Sequence, residues 1–153
     1  MKIIIAGSRD FDDYELLKEF CDSLCENYLK NEIEIVSGRA RGADRLGERY
    51  AKENNYSIKY FPANWDKYGK SAGYRRNAEM AEYAYALIAF WDGKSKGTKH
   101  MIDLANKNKL NVSLICFNPL SKIIKLPQDP KYNEELKTML EDYLKENEDE
   151  NKL

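Results

Sequence analysis

A chain of 153 residues, 42% hydrophobic and 33% charged with a net charge of −1, has the make-up of one ordinary soluble domain able to bury a substantial core. No apolar run reaches the length of a membrane span, and Met1-Lys2-Ile3-Ile4-Ile5 is too short for a signal peptide, so a cytoplasmic protein without membrane contact is expected. Charge is uneven: 128–153 carries 9 acidic and 4 basic residues, leaving 21 basic and 17 acidic in 1–127, a mildly basic body that suits an anionic ligand and argues against duplex DNA.

In chain order, Lys2 to Ala6 is a continuous β-branched run, as expected of a strand covered on both faces. Gly7-Ser8-Arg9 interrupts it. Asp12 with Glu15 reads as a capping box for a helix whose apolar positions are Leu17, Phe20, Cys21, Leu24 and Tyr28. Glu32 to Val36 is the second strand, ending in the loop Ser37 to Asp44, and a helix with Leu46, Tyr50 and Ala51 on one face follows. Ser57 to Phe61 is a third strand closed by Pro62. A longer aromatic connection leads to a helix capped by Ser71 and carrying Arg75, Arg76, Asn77, Met80 and Ala81. Tyr85 to Trp91 is the fourth strand; it ends in the glycine-bracketed basic loop Asp92 to Thr98, from which a further helix runs to about Asn108. Val112 to Phe117 is the fifth strand. The alternation βαβαβαβαβ predicts an α/β fold with a parallel sheet.

Asn118 to Pro130 reads as a connection rich in turn formers. Tyr132, Leu136, Met139, Leu140, Tyr143 and Leu144 then make a narrow apolar stripe: a C-terminal amphipathic helix that either packs on its own domain or forms a dimer contact. An acidic tail follows. Cys21, Cys25 and Cys116 fit a reducing compartment and read as core thiols.

In a parallel sheet, the loops that follow strands emerge on one edge, where such folds bind ligands. Four unusual loops share it here: Gly7-Ser8-Arg9, Ser37 to Asp44, Pro62 to Asn77, and Asp92 to Thr98. In the last, Gly93 and Gly97 bracket Lys94 and Ser95 before a helix start, and free amides there with the helix dipole favour a phosphate. Gly38 and Gly42 either permit a tight turn or, with Arg39 and Arg41 between them, hold a phosphate or ribose. Arg76 beside Asn77 leans towards ligand binding, and Trp65 either stacks on a base or closes over the sheet. Asp44 and Asp92 either orient an arginine or bind a ribose hydroxyl, and Asp44 alternatively serves the helix dipole; Ser8 and Ser37 are candidate hydroxyl ligands. Neither GxGxxG nor GxxxxGK[ST] occurs, and the lone His100 excludes a multi-histidine metal site.

Gly7-Ser8-Arg9-Asp10-Phe11, Ser37-Gly38-x-Ala40-x-Gly42-Ala43-Asp44, Pro62-Ala63-x-Trp65, Gly69-Lys70-x-Ala72-Gly73-x-x-Arg76-Asn77-x-x-Met80 and Gly93-Lys94-Ser95-x-Gly97-Thr98, in this order, resemble the YspA-like (DUF2493) branch of the SLOG superfamily. The resemblance implies a Rossmann-like three-layer sandwich with a mostly parallel five-stranded sheet over 1–117, and leaves 118–153 as linker, C-terminal helix and tail. It also implies a bound nucleotide or nucleotide derivative, such as an ADP-ribose-like or cyclic nucleotide, with no other cofactor. Gly93, Gly97 and Thr98 match the superfamily's phosphate loop and Arg76 with Met80 its Arg-x-x-Met element. Lonely Guy phosphoribohydrolases of this superfamily carry a catalytic glutamate three residues after the Gly-Thr pair, where this chain has Met101. Glycosidic cleavage needs a carboxylate, so the resemblance favours binding, as a sensor, carrier or sequestering protein; the alternative is a nucleotide-processing hydrolase that cleaves an N-glycosidic or phosphoester bond. A third reading, single-stranded nucleic-acid binding by analogy with the DNA-processing protein DprA, is disfavoured by the modest charge of the body.

Overall fold

A computed structural model describes residues 1–118 and 121–124. Strand β1 (Lys2–Gly7) is followed by α1 (Tyr14–Cys25), β2 (Glu34–Ser37), α2 (Ala43–Glu53) and β3 (Ser57–Tyr60). A short helical turn, α3 (Trp65–Tyr68), precedes α4 (Ala72–Tyr83); then come β4 (Ala86–Trp91), α5 (Lys96–Lys107), β5 (Asn111–Asn118) and β6 (Ser121–Ile124). Strand order is β3-β2-β1-β4-β5-β6, with the first five parallel and β6 antiparallel to β5.

Alternation along the strands sorts the core into two layers. Ile3, Ile5, Ile88 and Phe90 face α1 and α2, where they meet Leu17, Cys21, Tyr50 and Ala51. Ile4, Ala6, Leu87 and Ala89 face α4 and α5, against Met80, Ala81, Met101 and Ala105. All six residues of β4 are buried, which is why its sequence is an unbroken apolar run. This is the expected Rossmann-like three-layer sandwich.

Several boundaries differ from the sequence expectation. Asp13, not Asp12, caps α1, its carboxylate accepting the Leu16 amide at 3.1 Å. The helix ends at Cys25, so Tyr28 lies beyond it and is exposed. The sheet does not stop at five strands: Ser121–Ile124, read as connection, pairs Ile124 with Cys116 and Ser121 with Asn118. Four residues are too few for a periodic signal, and the pairing comes from the edge that β5 offers. The helix expected over 132–144 lies outside the described residues. Among the described residues no helix is long and apolar enough to cross a membrane.

Candidate functional site

The chain leaves β1 in two directions: β2 and β3 extend the sheet to one side, β4 and β5 to the other. The crevice between the carboxyl ends of β1 and β4 is therefore the topological switch point, where open α/β sheets bind ligands. At its base the backbones run very close. Gly7 pairs with Phe90, and a Cβ on Gly7 would lie 2.2 Å from the Phe90 carbonyl oxygen. Ser8 is buried next to it, its hydroxyl accepting the Asp92 amide at 3.1 Å.

From β4 the chain turns through Gly93, whose φ of +78° places it in the left-handed region that glycine tolerates. Asp92 folds the loop back, one carboxylate oxygen accepting the amides of Lys94 (2.9 Å) and Ser95 (2.8 Å). Ser95 caps α5 through the Thr98 amide, and Trp91 donates its indole N–H to the Ser95 carbonyl at 3.1 Å. The amides of Lys96 and Gly97 lie in the first turn of α5 and have no intrahelical acceptor. A Cβ on Gly97 would meet no atom within 4 Å. The fold thus makes no demand for glycine there, and Gly97 lines a hollow of about 250 Å³ at the switch point.

The opposite wall is α4. The half-buried Arg76 donates to the Gly38 carbonyl from one side of its guanidinium, while its Nε donates to Asn77 Oδ1 at 3.1 Å. The Asn77 amide nitrogen in turn reaches the Gly97 carbonyl and His100 Nδ1, each at 3.2 Å. Two residues therefore tie the Ser37–Asp44 loop, α4 and the start of α5 together. His100 also meets the Tyr74 ring edge-on at 4.5 Å, and burial holds its pKa below the ordinary histidine value, favouring the neutral ring whose Nδ1 accepts from Asn77.

Asp44 is the carboxylate that lines the hollow. Its side chain is nearly inaccessible and accepts the Ala40 amide at 3.2 Å. Burial pushes its pKa up to about 6, with the nearby charge of Glu48 adding to the rise; the Ala40 and Gly38 amides and Arg76 oppose it. Burial lowers the Arg76 pKa, the charge of Arg9 lowers it further, and Asp44 works against both. Between the ordinary carboxylate value and about 6 the folded chain holds a proton on Asp44 that the unfolded chain has released, so this group's contribution to stability falls as pH rises through that window. Asp44→Asn should gain on the native protein by on the order of 2 kcal/mol between pH 4 and pH 7, read from urea midpoints. A constant difference between the two proteins across that range would refute this account of Asp44.

The expected site residues divide into two groups. Gly7, Arg9, Asp44, Trp65, Arg76, Asn77, Ser95, Gly97 and Thr98 line the switch-point hollow, and Gly38 and Arg39 line a neighbouring one. Ser8, Ser37, Gly42, Asp92, Gly93 and Lys94 line neither and hold the loops instead. Ser37 is buried and donates to Glu48 at 2.7 Å. Gly42 turns at a φ of +77° against the carbonyls of Ser8 and Arg9. Met101, Lys70 and Tyr74 also line the switch-point hollow. Glu48, a buried carboxylate beside Arg39 (3.6 Å) and Arg45 (3.7 Å), was missed as well; its signal was an acidic residue one helical turn after Asp44 on the buried face of α2. Among the described residues no cluster of His, Cys, Asp and Glu could hold a metal ion.

The family described as "YspA, cpYpsA-related SLOG family" matches residues 1–68. The Gene 61 protein of Mycobacterium phage D29 is 32% identical over 114 residues, covering 69% of this chain and 89% of that protein. The chain belongs to the YspA-related SLOG family. Solved structures with the same fold include DNA processing protein A from Streptococcus pneumoniae, at TM-score 0.62 and 19% identity over 78% of this chain and 52% of that one. A second is DNA processing protein A from Helicobacter pylori, at TM-score 0.57 and 16% identity over 95% and 81% of the two chains, solved to describe its single-stranded DNA binding mode. This chain thus spans about half of the pneumococcal protein. At such identities the likeness concerns the fold.

Proposed function

We propose that this SLOG protein binds a nucleotide or nucleotide-derived small molecule, ADP-ribose-like or cyclic, at the switch-point hollow, and acts as a sensor, carrier or sequestering protein. The observation that carries this reading is the pairing of Gly97 with Arg76. A glycine that packing does not require sits among free amides at a helix start and lines the same hollow as a guanidinium already fixed by its neighbours. Fixed donors of this kind suit a phosphate, since little ordering remains to be done on binding. Binding is favoured over cleavage because the position of the Lonely Guy glutamate is a buried methionine, Met101, on the wall of the hollow.

The test is calorimetric titration of the purified chain with nucleoside mono- and diphosphates, ADP-ribose and cyclic AMP. Saturable binding of at least one is expected, with Arg76→Ala weakening it by about ten- to a hundredfold, the worth of a charge-assisted contact to phosphate. No saturable binding across the panel would overturn the reading.

A second reading, single-stranded nucleic acid, rests on the rim. Trp65, Tyr68 and Tyr74 are exposed beside the hollow, and Arg75 lies over the Tyr68 ring at 4.4 Å. Such aromatics with cations suit stacked bases, and the Helicobacter pylori relative in fold binds single-stranded DNA. Oligothymidylate binding that weakens steeply with salt, without binding of free nucleotides, would favour this second reading.

A further inference from the structure

A second hollow of about 270 Å³ adjoins the first. The two share Arg9, Ala40, Trp65 and Arg76, and the second adds Arg39 and Arg41. Each is smaller than the roughly 300 Å³ at which small-molecule sites usually begin, whereas the pair together falls within that range.

Its charge is one-sided. Four arginines line it and no carboxylate does. Arg39 is engaged, its Nε 3.6 Å from Glu48 and its guanidinium over the Tyr60 ring at 4.5 Å. Arg9 and Arg41 have no carboxylate within ion-pair distance among the described residues, and the charge of Arg9 bears directly on Arg76. Like charges gathered around a concavity repel one another unless an anion enters.

The backbone is strained at the same place. Arg39 has a φ of +61°. The other non-glycine residues in that region, Asn55 and Lys109, directly follow the caps of α2 and α5, where a left-handed residue commonly ends a helix. Arg39 ends no helix. It is held by its own amide donating to Ser37 Oγ at 3.1 Å, and by Asp44 gripping the next amide. Strain kept in place by surrounding bonds is characteristic of binding loops.

We infer that the ligand carries two linked phosphates, as in a nucleoside diphosphate or a diphosphate-bridged derivative, both against Arg76, which lines the two hollows: one towards the Ser95–Thr98 turn, the other towards Arg9, Arg39 and Arg41. This rests on the nucleotide reading of the first hollow and narrows it, since a cyclic mononucleotide has a phosphate for one side only.

The test is titration of the full chain with AMP and with ADP at fixed salt. ADP should bind at least about tenfold more tightly than AMP, the worth of a guanidinium–phosphate contact. Arg41→Ala, at an exposed residue with no ion-pair partner among the described residues, should remove that preference. Lys52→Ala deletes the same charge from an exposed residue lining neither hollow and should preserve the preference. Equal affinities for AMP and ADP, or loss of the preference in both variants alike, would overturn the two-phosphate assignment while leaving the nucleotide reading in place. Failure of both nucleotides to bind would overturn the assignment together with the reading it rests on.

Discussion

Alanine at position 7 is expected to cost about 4 kcal/mol of stability, near the upper end for a single substitution. The added Cβ would meet the Phe90 carbonyl oxygen at 2.2 Å, its carbon at 3.0 Å and the Ala43 Cβ at 2.9 Å. Two of these three are backbone atoms of the central strand pair and cannot swing aside as the end of a side chain would. Relief requires β1 and β4 to part at the switch point, with loss of the Ser8 amide bond to Phe90. Gly73→Ala is the control: it lies within α4, its Cβ would touch Trp65 at an ordinary 3.4 Å, and alanine favours the helix by up to about 1 kcal/mol. Urea midpoints of the two variants against the parent decide the matter. Comparable midpoints for Gly7→Ala and Gly73→Ala would sink the argument.

Gly97→Asp should do the opposite, removing ligand binding while sparing the fold. The side chain would enter space where no protein atom lies within 4 Å of its Cβ. An acidic residue in the first turn of a helix is, if anything, stabilising, by about 0.3–1 kcal/mol. The same carboxylate would stand where the proposed phosphate site lies and repel the ligand. A loss of at least about a hundredfold in nucleotide affinity is expected, since the phosphate loses its amide contacts and gains a like charge. Titration paired with a urea curve separates the two effects. Undiminished affinity in a well-folded Gly97→Asp protein would place the ligand elsewhere.

The contrast between these two glycines shows what one-dimensional reading can and cannot resolve. The layers were readable because burial on both faces writes itself as continuous apolar runs such as Ala86 to Trp91, and the loops after parallel strands must converge on one edge. Which loop residue lines a hollow and which is turned into the loop was not readable. Ser8 stabilises Asp92 across 84 positions of chain, and Ser37 meets Glu48 through a helix that must first be in place. Both are candidate hydroxyl ligands in the sequence, and both are buried with these partners. Asp92, weighed as an arginine or ribose partner, folds its own loop. The left-handed backbone at Arg39 had no sequence mark, because arginine has no preference for that region, whereas Gly93 and Gly42 announced theirs. The strand Ser121–Ile124 was hidden for a different reason: an edge strand this short owes its existence to the neighbour that receives it.

The bridge from Gly38 through Arg76 and Asn77 to Gly97 and His100 joins segments some sixty residues apart in sequence. A molecule seated against it therefore engages the native chain and has no counterpart in the denatured one. Occupancy then raises the melting temperature by mass action, worth about 2.7 kcal/mol at a hundredfold excess over the dissociation constant. A ligand of the proposed site can accordingly be sought by melting the protein against fractionated metabolites, with no prior guess at its identity.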